Sequence, residues 1–99
     1  MIKSFKNKET EAVFSGENPG GIYNAILKVA RRKLAMIDAA VELTDLKSPP
    51  NNKLHALEAN RAGQHAIWVN SQYRVCFVWT TNGAADVEIA DYHDDRRRK

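Results

Sequence analysis

Tyr73-Arg74-Val75-Cys76-Phe77-Val78-Trp79-Thr80 is the stretch from which the fold is read. Side chains of an extended strand alternate between two faces, so Tyr73, Val75, Phe77 and Trp79 share one face and Arg74, Cys76 and Val78 the other. The first set is wholly apolar or aromatic, as a core-facing surface requires. Gln64 to Val69 reads as the preceding strand, joined through the tight connection Asn70-Ser71-Gln72. Downstream, Asn82-Gly83 carries the strongest short hairpin signal. Asp86 to Tyr92 reads as the last strand, with Val87, Ile89 and Asp91 alternating against Glu88, Ala90 and Tyr92. Strands joined by such short turns pair antiparallel.

Upstream of this meander the periodicity is helical. Ile22, Ile26, Val29, Leu34, Ile37 and Val41 recur at steps near three and four, which predicts an amphipathic helix over Ile22 to Val41. Lys28, Arg31, Arg32 and Asp38 fall mainly on its other side, and a solvated helix face is the preferred reading of that cluster over an RNA or ribosome contact. Asn18-Pro19-Gly20-Gly21 breaks the chain before it. A short helix is expected across Glu9 to Phe14 and a first strand across Met1 to Phe5. Leu43 to Leu46 adds a further turn, which Ser48-Pro49-Pro50-Asn51-Asn52 stops. Lys53 to Leu57 is a short extended segment, and Asn60-Arg61-Ala62-Gly63 a turn. Helices grouped ahead of an antiparallel meander cover one of its faces, giving an α+β two-layer domain. The chain has 99 residues, enough for one core. The domain is expected to span residues 1–93, followed by a basic tail over residues 94–99.

Composition removes several function classes. No apolar run is long enough to span a bilayer or to resemble a signal peptide, so a cytoplasmic location is expected and no membrane partner. Cys76 is the single cysteine, which rules out an intrachain disulfide and a cysteine metal cluster. It lies inside an apolar run, where a small core residue is the better reading than a nucleophile. His55, His65 and His93 are too widely spaced to hold a divalent ion, and no Gly-x-Ser-x-Gly elbow or phosphate-cradling glycine loop is present. The net charge is +3, of which the tail contributes +2, so the body is nearly neutral. That balance permits nucleic-acid binding without requiring it.

His55, Arg61, Arg74, Asp91, Tyr92 and His93 stand out as site residues. Each also has a plain structural reading, such as an arginine pairing at a sheet edge or a half-buried strand tyrosine. Together they suit metal-free cleavage of RNA, which carries its own nucleophile in the 2′-hydroxyl. Histidine or aspartate moves protons, arginine holds phosphate oxygens in its planar fork, and tyrosine orients a base. No cofactor is needed. In this scheme Arg74 holds the scissile phosphate, His93 or Asp91 accepts the 2′-hydroxyl proton, and His55 or Tyr92 assists the leaving group or positions the base. All five of these residues are expected on one concave surface.

Lys53-Leu54-His55-Ala56-Leu57, Asn60-Arg61-Ala62-Gly63-Gln64, Tyr73-Arg74-Val75-Cys76-Phe77 and the closing Asp91-Tyr92-His93 together resemble the HigB toxins, GraT-like members included, within the RelE-like superfamily. Ile2-Lys3-Ser4-Phe5 and the run from Arg32 to Ala40 are similar too. The resemblance implies a RelE-like fold and a toxin of a type II toxin–antitoxin system that cleaves messenger RNA on the translating ribosome. The partner it implies is a HigA-type helix-turn-helix antitoxin, with operator DNA reached only through that antitoxin. It places His55, Arg74, Asp91, Tyr92 and His93 at active-site positions and Arg61 at a basic position nearby. Glu58 departs from the pattern, standing where some relatives have a lysine. Arg61 or the tail cations Arg96, Arg97, Arg98 and Lys99 are then the RNA-binding residues expected to compensate. The alternative is a catalytically weak RNA-binding or co-repressor module of the same fold.

Overall fold

The computed structural model describes residues 1–91; Tyr92, His93 and the basic tail, with the expectations attached to them, lie outside the described residues. Helices α1 (Lys8–Phe14) and α2 (Tyr23–Ala39) precede strands β1 (His55–Ala56), β2 (His65–Trp68), β3 (Tyr73–Thr80) and β4 (Gly83–Asp91). The four strands form one antiparallel sheet in the order β1-β2-β3-β4. This is the α+β two-layer architecture read from the sequence.

The apolar face of β3 is the core. Phe77 and Val75 are fully enclosed together with Leu34 and Ile37 of α2, Val13 of α1, Ile67 of β2 and Val87 of β4. Truncating a side chain such as Phe77 in such a setting costs about 3–5 kcal/mol. The buried stripe of α2 is Ile26, Ala30, Lys33, Leu34 and Ile37. Ile22 and Val41 were expected in that stripe but flank the helix and are exposed. The helix stops two residues earlier than expected, at Ala39, and the backbone turns extended at Ala40.

The hairpin between β3 and β4 turns through Thr81 and Asn82, with Thr80 paired to Gly83. Neither turn residue has a positive φ; that conformation falls on Gly83, at +127°. β4 then carries one extra residue opposite Phe77, between the Cys76–Glu88 and Val78–Ala85 pairs. Asp86 adopts φ +52° within this bulge. The extra residue shifts the alternation, so Ala84 and Val87, three apart, both reach the core.

Residues 1–6 run parallel to β4 and meet it at two bridges, Ile2 with Ala84 and Phe5 with Val87, in place of the continuous first strand expected over Met1–Phe5. Hydrogen bonds from Lys6 N to the Val87 carbonyl (2.9 Å) and from Ala84 N to the Met1 carbonyl (3.0 Å) hold the segment. The Ser4 hydroxyl accepts from the Asp86 amide of the bulge at 2.9 Å. Further along, the buried Thr10 hydroxyl of α1 accepts from the Ile89 amide at 3.0 Å. Asn7 caps α1 by accepting from Thr10 N, which orients that helix over the strand. The outer edge of β4 is thereby capped rather than left open.

A Cβ at Gly83 would run into the Met1 carbonyl, and the φ there strains any L side chain. Gly83→Ala is expected to lower the unfolding free energy by about 1–3 kcal/mol, read as a shifted urea midpoint at unchanged slope.

Candidate functional site on the outer sheet face

The face of the sheet turned away from the helices is assembled by register. His55 pairs with Ala66, Ala66 with Cys76, and Cys76 with Glu88, which makes one row across all four strands. The next row holds Trp68, Arg74 and Ala90. His55 and Arg74 therefore share this face on neighbouring rows. Asp91 does not join them. It pairs with Tyr73, on the helix-facing side, and accepts a hydrogen bond from Gln72 Nε2 at 3.2 Å. The expected convergence of Asp91 with Arg74 is corrected by strand parity: residues 88 and 90 point outward, so residue 91 points the other way.

Arg74 is only 5% exposed. Its Nη1 donates to the Asn70 carbonyl at 2.7 Å and the Tyr73 carbonyl at 3.3 Å. Its guanidinium lies over the Trp68 ring, 4.1 Å from the centroid. These contacts set the plane of the fork. His55 is half-buried, and its Nδ1 lies 2.7 Å from the Lys53 carbonyl. A carbonyl only accepts, so Nδ1 carries the proton and Nε2 is the acceptor nitrogen of the neutral ring.

Arg61 is engaged otherwise than expected of an RNA contact. Its Nη1 donates to Glu88 Oε1 at 3.0 Å and to Gln64 Oε1 at 3.1 Å. This pins the 3₁₀ turn Ala59–Arg61 against β4. Leu57 completes the closure by packing with Ala66, Cys76 and Ala90 in a small apolar cluster. Cys76 is thus a buried packing residue, as its setting suggested. Glu58 is exposed at the start of that turn. The helix-face cations are also divided. Arg31 donates to the Val13 and Glu17 carbonyls and secures the end of α1, while Lys28 and Arg32 remain exposed beside a groove of about 510 Å³ on the far side of α2.

Three residues of this face were not singled out as site residues in the sequence: Trp68, Glu88 and Lys53. The signal for Trp68 was parity, since the Asn70–Gln72 connection puts it opposite Arg74. Lys53 depends on the turn before it. Asn52 is fully buried and donates to the Leu46 carbonyl at 3.1 Å and the Ser48 carbonyl at 3.3 Å, while accepting from Lys33 Nζ at 2.6 Å. This anchored 3₁₀ turn, Pro50–Asn52, ends with Lys53 in a left-handed conformation. Burial, then the neighbouring Arg32, pulls the Lys33 pKa below the ordinary lysine value. Elsewhere, burial, then Glu9, raises Tyr23, and the Glu42 and Val41 amides lower Asp45. Among the described residues no cluster of three or more His, Cys, Asp or Glu side chains is arranged to hold a metal ion. No described helix is long and apolar enough to cross a membrane.

Residues 3–93 match the family model of the HigB-like toxin, described as the RelE-like toxin of the type II toxin–antitoxin system HigB. The chain is 38% identical over 94 residues to Toxin HigB-1 of Vibrio cholerae serotype O1, covering 90% of this chain and 95% of the relative. It is 31% identical over 93 residues to Endoribonuclease HigB of Proteus vulgaris, covering 94% of this chain and 100% of the relative. An uncharacterized protein of Haemophilus influenzae is 39% identical over 67 residues, 68% of this chain and 66% of that one.

Two outcomes follow from the geometry. Glu88→Ala leaves Arg61 without its carboxylate partner and is expected to cost about 1–2 kcal/mol, measured by denaturant unfolding, while increasing amide exchange across residues 57–64. For Lys33 the unfolded chain holds the proton more tightly than the folded one. Wild-type stability therefore rises as pH climbs from the lowered folded value to the ordinary lysine value. Lys33→Met removes that slope, so urea titrations at rising pH, up to the ordinary lysine value of about 10.4, should show the wild type gaining on the variant.

Proposed function

Since the chain belongs to the HigB-like family of RelE-like toxins from type II toxin–antitoxin systems, we propose that it is a metal-independent endoribonuclease that cuts messenger RNA on the translating ribosome, neutralised by a HigA-type antitoxin. An antitoxin partner comes with the family. The helix-turn-helix type, and operator DNA reached only through it, are part of the proposal, as is a cytoplasmic site of action. The observation that carries the proposal is the placing of His55 and Arg74 on one sheet face, with the His55 tautomer set by a carbonyl.

The reaction asks little of the protein beyond proton movement and charge stabilisation. A base takes the 2′-hydroxyl proton, and the 2′-oxygen attacks the adjacent phosphorus. The bond from phosphorus to the 5′-oxygen then breaks, and that oxygen takes a proton. The products are a 2′,3′-cyclic phosphate and a 5′-hydroxyl end. Arg74 stabilises the charge that accumulates on the phosphorane, at a position where little water competes. His55 exchanges protons at Nε2, accepting when the ring is neutral and donating when it is charged. In this reading His93 is the second proton carrier and Tyr92 the base-orienting aromatic. Asp91, facing the other side, braces the strand end through Gln72. The cations Arg96, Arg97, Arg98 and Lys99 add phosphate contacts that weaken as salt rises.

The test is cleavage mapping in translated messages. Arg74→Ala is expected to lower the cleavage rate by about 10²–10³, and to relieve growth arrest, while the antitoxin still binds. Arg74→Lys, which keeps the charge but loses the fork, should recover only part of the rate. A folded Arg74→Ala protein that cuts at the parental rate would overturn the assignment. Absence of any cleavage by the wild type in translated messages would favour the weaker RNA-binding or co-repressor module.

A further inference from the structure

Lys53 sits at a junction. Its φ is +50°, a conformation that an unbranched lysine tolerates at a cost. Its amide donates to the Pro50 carbonyl at 3.1 Å, closing the turn that buried Asn52 anchors. In this conformation its own carbonyl meets Nδ1 of His55. Its ammonium meanwhile lies over the Trp68 ring, 4.9 Å from the centroid. Arg74 shares that ring. One residue thus ties the proton carrier, through its backbone, to the indole that seats the arginine.

The two cations on Trp68 differ in exposure. Arg74 is buried and bonded to two carbonyls. Lys53 is exposed. An indole attracts a cation through its ring quadrupole and leaves the charge uncancelled. The contrast on the same face is Arg61, whose partner is the Glu88 carboxylate. An incoming polyanion therefore meets Lys53 first, with its full charge.

We propose that Lys53 is a substrate-binding residue of this site: its ammonium, seated on Trp68, takes a phosphate oxygen of the RNA strand next to the phosphate at Arg74. Trp68 is the positioning residue that holds both cations on one ring. This rests on the RNA-cleaving reading above and names the group that the strand meets first. It also supplies the cation that Glu58 denies the other side of His55.

The experiment uses the purified full chain and a fluorescent single-stranded oligoribonucleotide with 2′-O-methyl groups throughout, which lacks the nucleophile and cannot be cut. Anisotropy titrations are run across a salt series. Lys53→Gln is expected to weaken binding several-fold at low salt and to flatten the log–log salt slope by about 0.7, the loss of one single-strand phosphate contact. Lys53→Arg should restore the slope. Trp68→Leu should weaken binding, and Trp68→Phe should recover most of it. A second readout does not depend on these variants folding. The chain has two tryptophans, so in a Trp79→Phe background Trp68 emission alone should change as the probe saturates. A folded Lys53→Gln protein with wild-type affinity and slope overturns the proposal, as does unchanged Trp68 emission at saturation. Loss of antitoxin binding with RNA binding intact assigns Lys53 to a protein interface and overturns it too. A wild type that fails to bind the probe counts against the RNA reading itself, and this inference falls with it.

Discussion

Phe77 is enclosed by both helices' apolar faces, while Arg74, three residues earlier on the same strand, lies on the opposite side of the sheet over Trp68. That two-residue alternation along β3 is the constraint on which the other elements depend. The apolar parity must be covered, so α1 and α2 pack there. Among the described residues the other parity is then left as the broad sheet surface for chemistry. A slip of one residue in pairing would exchange the two sets and place a guanidinium in the core, which the burial cost of an unpaired charge forbids. Register and site are therefore one requirement. The β4 bulge extends it by letting Ala84 and Val87 both face inward without moving Glu88 off the outer surface.

Charge on the outer face is sorted by the kind of partner each cation has. Arg61 meets a carboxylate and acts as a strut for the turn above Cys76. Arg74 and Lys53 share an indole, which holds position through its ring face. Lys33, on the other layer, meets a neutral amide in a buried setting and serves the turn that delivers Lys53. A count of fifteen basic residues says little about binding; the partners decide which of them can receive a phosphate.

The elements with strong periodicity were legible in the sequence. The β3 range was read as observed, and the long helix and its partner helix differ only by end residues. Gly83 was flagged as part of the hairpin, although it closes the turn rather than sitting within it, because Thr81 and Asn82 keep negative φ. The burial of Lys33 was not legible: a lysine reads as surface unless its partner is known, and Asn52 lies nineteen residues away. Met1 to Phe5 read as a strand, but this segment meets β4 at separate bridges on either side of the bulge residue Asp86. His55 and Arg74 could be named from the resemblance, and their shared face from parity. Trp68 was open to the same parity argument and went unread, whereas Lys53 could not be named, since its role arises from a left-handed conformation that no local pattern announces. Asp91 was grouped with them by adjacency to the chain's closing motif, where parity alone argued against it.

The capping of β4 by residues 1–6 has a meaning in time. Segments far apart in the sequence are hydrogen-bonded to one another: the Asp86 amide donates to the Ser4 hydroxyl across 82 positions. Residues 1–6 have no strand to pair with until β4 is formed, and the sheet acquires its closed edge only then. Long-range pairing of this kind slows folding and concentrates it late. The edge strand and the bulge that shapes the core therefore become fixed together, in one long-range step, and not piece by piece along the chain.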